Sequence, residues 1–102
     1  MTEGVTVTVS IDLKPKEADA FCRDQIPHLL KQTRNFSGVR SARVVRQADD
    51  PTKVLFIDIF DTIEASVRYF EWWDGTGDLG RLAKLLSEPP RIEMWPLVID
   101  SA

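Results

Sequence analysis

Residues 54–60 read VLFIDIF, and no other stretch restricts the fold of this chain so tightly. Side chains of an extended strand alternate between its faces, so Val54, Phe56 and Phe60 point one way and Leu55, Ile57 and Ile59 the other. Burying one such side chain is worth about 1.5–3 kcal/mol, and leaving either row in water forfeits several of these gains. The segment is therefore a strand that needs cover on both faces. Asp58 is its one interruption, and a carboxylate inside an apolar strand is costly unless it finds a partner.

The rest of the chain supplies neighbours for that strand. Val5, Val7, Val9, Ile11 and Leu13 alternate with Thr6, Thr8, Ser10 and Asp12, which is the period of a strand. Lys14-Pro15-Lys16 stops it, and Pro15 suits the first turn of a helix. From Glu17 to about Thr33 the residues Ala18, Phe21, Cys22, Ile26, Leu29 and Leu30 recur at helical spacing. Pro27 projects opposite that stripe and predicts a bend with its ring toward solvent. Asn35-Phe36-Ser37-Gly38 breaks the helix, and 39–47 forms a second strand. Its Arg40, Arg43 and Arg46 suit a sheet edge, with an anion site as the other use for them.

Ala48 to Thr52 has turn composition, and beyond VLFIDIF the run Asp61 to Glu64 resembles a capping box with Asp61 as the cap. The helix it opens runs to about Asp74. Ile63, Val67 and Phe70 form its expected packing stripe, with Ala65, Tyr69, Trp72 and Trp73 in a flanking sector. Gly75 fits a left-handed stop past the helix end. Asp78 can cap a short further helix carrying Leu79, Leu82, Ala83 and Leu86 on one side. Arg91 to Asp100 makes the last strand, in which Pro96 implies an edge or a bulge.

Gly75, Gly77 and Gly80 also stand at the G-x-G-x-x-G spacing of a dinucleotide loop. That loop needs a strand before it and a helix after it, with an acidic residue roughly twenty positions on. Here a helix comes first, and the glycines span a stop, a connection and a helical turn, so the match is accidental. Lys and Arg number 13 against 16 Asp and Glu, and the net charge of -3 argues against a nucleic-acid partner. Cys22 stands alone, which fits a reducing cytoplasm, and with His28 as the only histidine a soft-metal site has almost no ligands. The opening MTEGVTVTVS reads as a strand rather than a signal peptide or membrane span. A chain of 102 residues holds one core, so 1–102 is a single domain.

Strand, helix, strand, strand, helix, short helix, strand is the ferredoxin-like βαββαβ plan of an α+β domain, with an extra short helix before the last strand. The first and third strands are then central. Two main helices cover only one face, so the second row of VLFIDIF calls for another copy of the chain packed sheet against sheet. A homodimer follows.

LKPKEADAF, followed by NFSGVRSARVVRQADDPTKVLFIDIFDTIEAS, resembles the antibiotic biosynthesis monooxygenase family of dimeric α+β barrels, over about Val5 to Val98. The most specific matches are Phe36 with Gly38, Asp50-Pro51, and the passage from Asp58-Ile59-Phe60 to Glu64-Ala65. The resemblance implies a homodimer with a small apolar pocket between sheet and helices. Some members oxidise polyketide-derived phenols to quinones with molecular oxygen and neither metal nor flavin; others degrade haem. Many relatives have Trp where this chain has Phe60 and His where it has Tyr69, and the first strand lacks the asparagine of the haem-degrading members. The sheet plan is shared with RNA-recognition domains, but VLFIDIF lacks their glycine and paired surface aromatics.

The resemblance implies a monooxygenase acting without cofactor on a small aromatic or polyketide-like ligand; the alternative is a non-catalytic dimeric binding or accessory domain. Such oxygenation requires an apolar cavity for an electron-rich phenol, a group to take its proton, and polar groups to steady charge in a dry site. The catalytic candidates are Tyr69, Asp58 and His28; the substrate-binding candidates are Trp72, Trp73, Phe21 and Phe60. Each has a plainer use. The aromatics can be core packing, His28 a boundary residue, and Asp58 the partner of Arg23, Arg34 or an arginine of a second copy.

Overall fold

The computed structural model describes residues 4–100. Met1 to Glu3, read from sequence as part of the amino-terminal strand, lie outside the described residues, as do the final two. The elements are β1 (Val5–Asp12), α1 (Pro15–Ala20), a π-helical turn (Phe21–Gln25), α2 (Ile26–Arg34), β2 (Val39–Arg46), β3 (Lys53–Phe60), α3 (Ile63–Gly75), α4 (Asp78–Ala83) and β4 (Arg91–Trp95). The strands form one antiparallel sheet in the order β2-β3-β1-β4, which is not closed on itself. This is the ferredoxin-like α+β plan expected from the element order, with β1 and β3 at the centre.

In β3 the odd and even rows separate as the alternation requires. Val54, Phe56, Asp58 and Phe60 are buried against the helices, beside Val5, Val7, Val9 and Ile11 of β1. Leu55, Ile57 and Ile59 face the other side and are only half-covered, between Thr6, Thr8 and Ser10 of β1 and Ser41, Arg43 and Val45 of β2. On β4, Trp95 lies on that open face and its indole donates to Thr8 Oγ1 at 3.0 Å.

The first helix continues through its proline by widening. Pro27 has no N–H for the carbonyl four residues earlier, and its ring crowds that carbonyl. The backbone accommodates it with a π turn directly upstream, where the Ile26 N–H reaches back to Phe21 O. Pro27 itself stays exposed, as its position predicts.

Four local expectations are corrected. Thr62, not Asp61, caps α3: its backbone is extended and its Oγ1 accepts from Ala65 N at 3.1 Å, while Asp61 pairs with Arg40 at 2.6 Å. Gly75 is the last residue of α3, and the left-handed position falls on Gly77 (φ 83°). That glycine also caps α4, leaving Asp78 in the first turn, paired with Arg81. The last strand ends at Trp95 because Pro96 brings no N–H to the ladder.

The largest correction concerns the face of α3. Ala65, Ser66, Tyr69 and Trp73 are buried, whereas Ile63 and Val67 remain 43% and 46% exposed. Gly38 gives the reason. Its φ is +92°, and a Cβ built there would stand 2.7 Å from the Ala65 Cβ, so the loop after α2 presses directly on the first turn of α3. The Asp61 N–H donates to Gly38 O at 2.8 Å and locks the approach. Only the small-residue side of α3 fits there.

Candidate active site

Turning α3 in this way brings a set of polar atoms into the core. Asp58 lies on the helix-facing row of β3, with Val7 on one side and Ala42 on the other in the register. It is 4% exposed, and its Oδ1 has no hydrogen-bond partner. Burial raises its pKa from the usual 3.8 to about 7. Arg23 pairs instead with Asp24, and Arg34 donates to the Ala42 carbonyl, so neither neutralises Asp58 within the chain.

Tyr69, midway along α3, places its hydroxyl 2.7 Å from Thr33 Oγ1 of α2. Thr33 donates its single hydroxyl hydrogen to Leu29 O at 2.9 Å. Tyr69 must therefore be the donor between the two, which leaves its oxygen lone pairs as the only hydrogen-bonding capacity it offers elsewhere. Burial pushes its phenol up to about 12, and the nearby Asp58 charge adds to this. Tyr69 is held protonated.

Trp73, one turn further on, is 5% exposed, and its indole Nε1 is buried without a partner. An indole N–H can only donate, so this one calls for an acceptor. Asp58, Thr33, Tyr69 and Trp73, with Val9, Leu29, Phe56 and Phe70, surround an inner cavity of about 10 Å³ between the sheet and the helices. That is room for one water.

A larger hollow of about 270 Å³ lies outside it, between the π turn and α2 on one side and α3 with α4 on the other. Phe21, His28, Gln25, Asp78 and Arg81 are among its walls. Leu29 and Trp73 line both hollows.

The seven residues proposed from sequence thus fall into three places. Tyr69, Asp58 and Trp73 meet at the inner cavity. His28 and Phe21 border the outer groove, where His28 is exposed. Phe60 packs behind Tyr69 at a ring separation of 5.5 Å, and Trp72, 39% exposed, lies against Phe36 at 5.3 Å; neither lines either hollow. Thr33 and Leu29 were missed. Leu29 had been read only as part of a packing stripe, and Thr33 only as the end of a helix. A hydroxyl four residues after Leu29, hence on the same helical face, is the signal that could have singled it out.

A buried carboxyl with a pKa about 7 can accept or release a proton at neutral pH, beside a phenol that stays protonated. Among the described residues no three His, Cys, Asp or Glu side chains gather as a metal site requires, and no helix is long and apolar enough to cross a membrane.

Comparison with known proteins places this geometry in context. Rv0793 from Mycobacterium tuberculosis superposes with a TM-score of 0.82 at 16% identity, over 98% of this chain and 100% of that one. NE2512, a protein of unknown function from Nitrosomonas europaea, gives 0.79 at 20% identity, over 97% and 93%. A crystal structure described as an antibiotic biosynthesis monooxygenase gives 0.80 at 15% identity, over 92% and 98%. At these identities the likeness is one of fold. A comparison with curated proteins finds no match. The sequence model for antibiotic biosynthesis monooxygenases matches residues 4–78, most of the chain, and the protein belongs to that family.

Proposed function

We propose that this protein is a cofactor-independent monooxygenase acting on a small aromatic or polyketide-like substrate, and that it works as a cytoplasmic homodimer. The observation that carries the reading is Asp58, a carboxyl buried in a central strand with one oxygen unpartnered at a cavity. Asp58 takes a proton from the phenol or from an acidic ring carbon. The electron-rich anion passes an electron to molecular oxygen, and recombination forms a carbon–oxygen bond. The peroxide so formed takes back the proton held on Asp58. Loss of the remaining hydrogen from that carbon as a proton then breaks the O–O bond. The departing hydroxide and that proton make water, and a quinone carbonyl is left, so one oxygen atom ends in product and one in water. Tyr69 and Trp73 border the reacting region, and the surrounding apolar walls keep the anion in a dry site where fixed dipoles act strongly.

The dimer reading rests on the open sheet face. Leu55, Ile57 and Ile59 are half-covered there, and Val45 and Trp95 are 36% and 53% exposed, so an isologous sheet-to-sheet contact would bury the row.

A second reading, a non-catalytic dimeric binding or accessory domain, draws support from Phe60 and Tyr69 standing where many relatives carry Trp and His. One experiment separates the two. Purified protein is offered a panel of hydroxylated naphthalenes and anthrones in an oxygen electrode. Uptake above the buffer rate that is lost in Asp58→Asn supports catalysis. Saturable quenching of tryptophan emission without uptake removes it in favour of binding.

A further inference from the structure

We propose that Arg43 and Glu93 are the partner-selecting residues of the open sheet face: Arg43 of one copy pairs with Glu93 of the partner subunit, and the two symmetric contacts admit only one way of turning the copies together. The inference rests on the dimer reading above and adds the orientation and the residues that impose it.

The charges come first. Of the three arginines on β2, Arg40 pairs with Asp61 and Arg46 with Asp19. Arg43 is exposed and makes no hydrogen bond or ion pair among the described residues, and the same holds for Glu93 on β4. The register places both in one row. Arg43 stands beside Ile57, Ile57 beside Thr8, and Thr8 beside Glu93. The row crosses all four strands of the open face with a cation at one end and a carboxylate at the other. Three strand spacings hold these charges about 14 Å apart, too far for them to meet within one chain.

A second copy brings them together in one orientation. Consider a two-fold axis that lies between the sheets and runs with the strands, over the boundary of β1 and β3. It lays each row over itself in reverse, so Arg43 faces Glu93 of the partner subunit and Glu93 faces Arg43 of the partner subunit. Such an axis preserves position along the strands, so the match needs no adjustment by sliding. Aligned sheets cross at about 30°, which displaces the row ends by about 4 Å, within reach of two long side chains. The same axis sets Lys53 over Asp12 of the partner subunit, so the pair already joined at 3.0 Å meets its complement. An axis running across the strands instead lays β2 on β2, where VRSARVVR offers Arg43 no carboxylate. Like charges brought face to face there disfavour that arrangement. The apolar strip survives the turn. Because β1 and β3 are neighbours, Leu55, Ile57 and Ile59 lie one strand away from the same row of the second copy.

The test is charge reversal in the full chain, read by sedimentation equilibrium. Both positions are exposed, so the substitutions leave the core intact. Arg43→Glu and Glu93→Arg should each weaken the dimer by about thirtyfold or more, since two attractive contacts per dimer become two repulsive ones. Both reversals in one chain should restore the affinity to within about threefold of wild type. An equimolar mixture of the two single variants should form heterodimers in preference to either homodimer in native mass spectrometry, because only the mixed pair sets opposite charges at both contacts. Single reversals that leave the dimer as tight as wild type overturn the inference, as does a combined variant as weak as the single ones or a mixture that pairs at random. Each of these leaves the dimer reading standing. A wild type that is monomeric at micromolar concentration removes the dimer reading and this inference with it.

Discussion

Replacing Asp58 by asparagine should make the protein more stable at neutral and alkaline pH, and the gain should vanish in acid. Asparagine has nearly the shape of aspartate and does not titrate. In the folded wild type, burial holds the carboxyl near a pKa of about 7, against 3.8 for the ordinary group. Between those values the unfolded chain has released the proton while the folded chain still holds it. Folding thus binds a proton across that window, and stability falls as pH rises through it, levelling off above about 7. At about 1.4 kcal/mol per pH unit the whole span is worth up to roughly 4 kcal/mol. The substituted amide escapes this loss but brings two hydrogens that need acceptors, which offsets about 1–2 kcal/mol at every pH.

The difference between the two proteins should therefore change by several kcal/mol from about pH 4 to about pH 8, starting near zero or slightly in favour of wild type. For a domain of this length each kcal/mol moves the melting temperature by about 4–8 °C, so the pH-dependent part is well within reach of scanning calorimetry. Protomer concentration is held fixed, since association also stabilises the folded state. Other titrating groups cancel in the comparison. A difference that stays flat within about 1 kcal/mol across that range would refute the reasoning, because it would mean that Asp58 is ionised and compensated throughout.

Thr33→Val should cost about 1–3 kcal/mol in urea unfolding, because it strands the Tyr69 hydroxyl without its acceptor; Thr33→Ser should recover most of the loss. Gly38→Ala should destabilise by about 2 kcal/mol or more, combining a positive φ with a contact of 2.7 Å to Ala65, whereas Gly75→Ala, which meets nothing within 4 Å, should be neutral or stabilise by up to about 1 kcal/mol. Ile59→Glu places a charge on the open sheet face opposite Thr6 and Ser41; sedimentation at micromolar concentration should find the wild type dimeric and this variant monomeric. A variant that still sediments as a dimer would rule out sheet-to-sheet pairing.

The order of elements and the central place of β1 and β3 were legible because they depend on patterns confined to each segment. A two-residue alternation in VTVTVS or a double-sided apolar run in VLFIDIF does not need knowledge of its neighbours. Asp58 was legible for the same reason, as a charge breaking an apolar run. What failed depended on contacts between segments. Thr62 displaced Asp61 as the cap because Arg40, far back in the chain, claims Asp61. At Pro27 the missing N–H is absorbed by a π turn, a detail that periodicity does not specify. His28 and Asp58 are both candidate bases by residue type, yet one borders the outer groove and the other the inner cavity.

The rotation of α3 and the position of Asp58 form a single problem. At about 100° per residue, the buried stripe of Ala65, Tyr69 and Trp73 is turned roughly a third of a circle from the Ile63–Val67–Phe70 stripe. Hydrophobicity alone favours the second arrangement, since the observed one leaves two branched aliphatic side chains half in water and seats two aromatics with polar tips in the core. Gly38 and Ala65 tilt the balance by removing bulk where the loop meets the helix. A core selected only for stability would do better with an aliphatic residue at position 58 and the more apolar face of α3 turned inward. Instead the small residues admit the orientation that carries Tyr69 and Trp73 over the one carboxyl in the sheet's covered face. Packing accounts for how this arrangement is tolerated. On the function proposed above, the use of the arrangement is the set of polar atoms it gathers around one cavity.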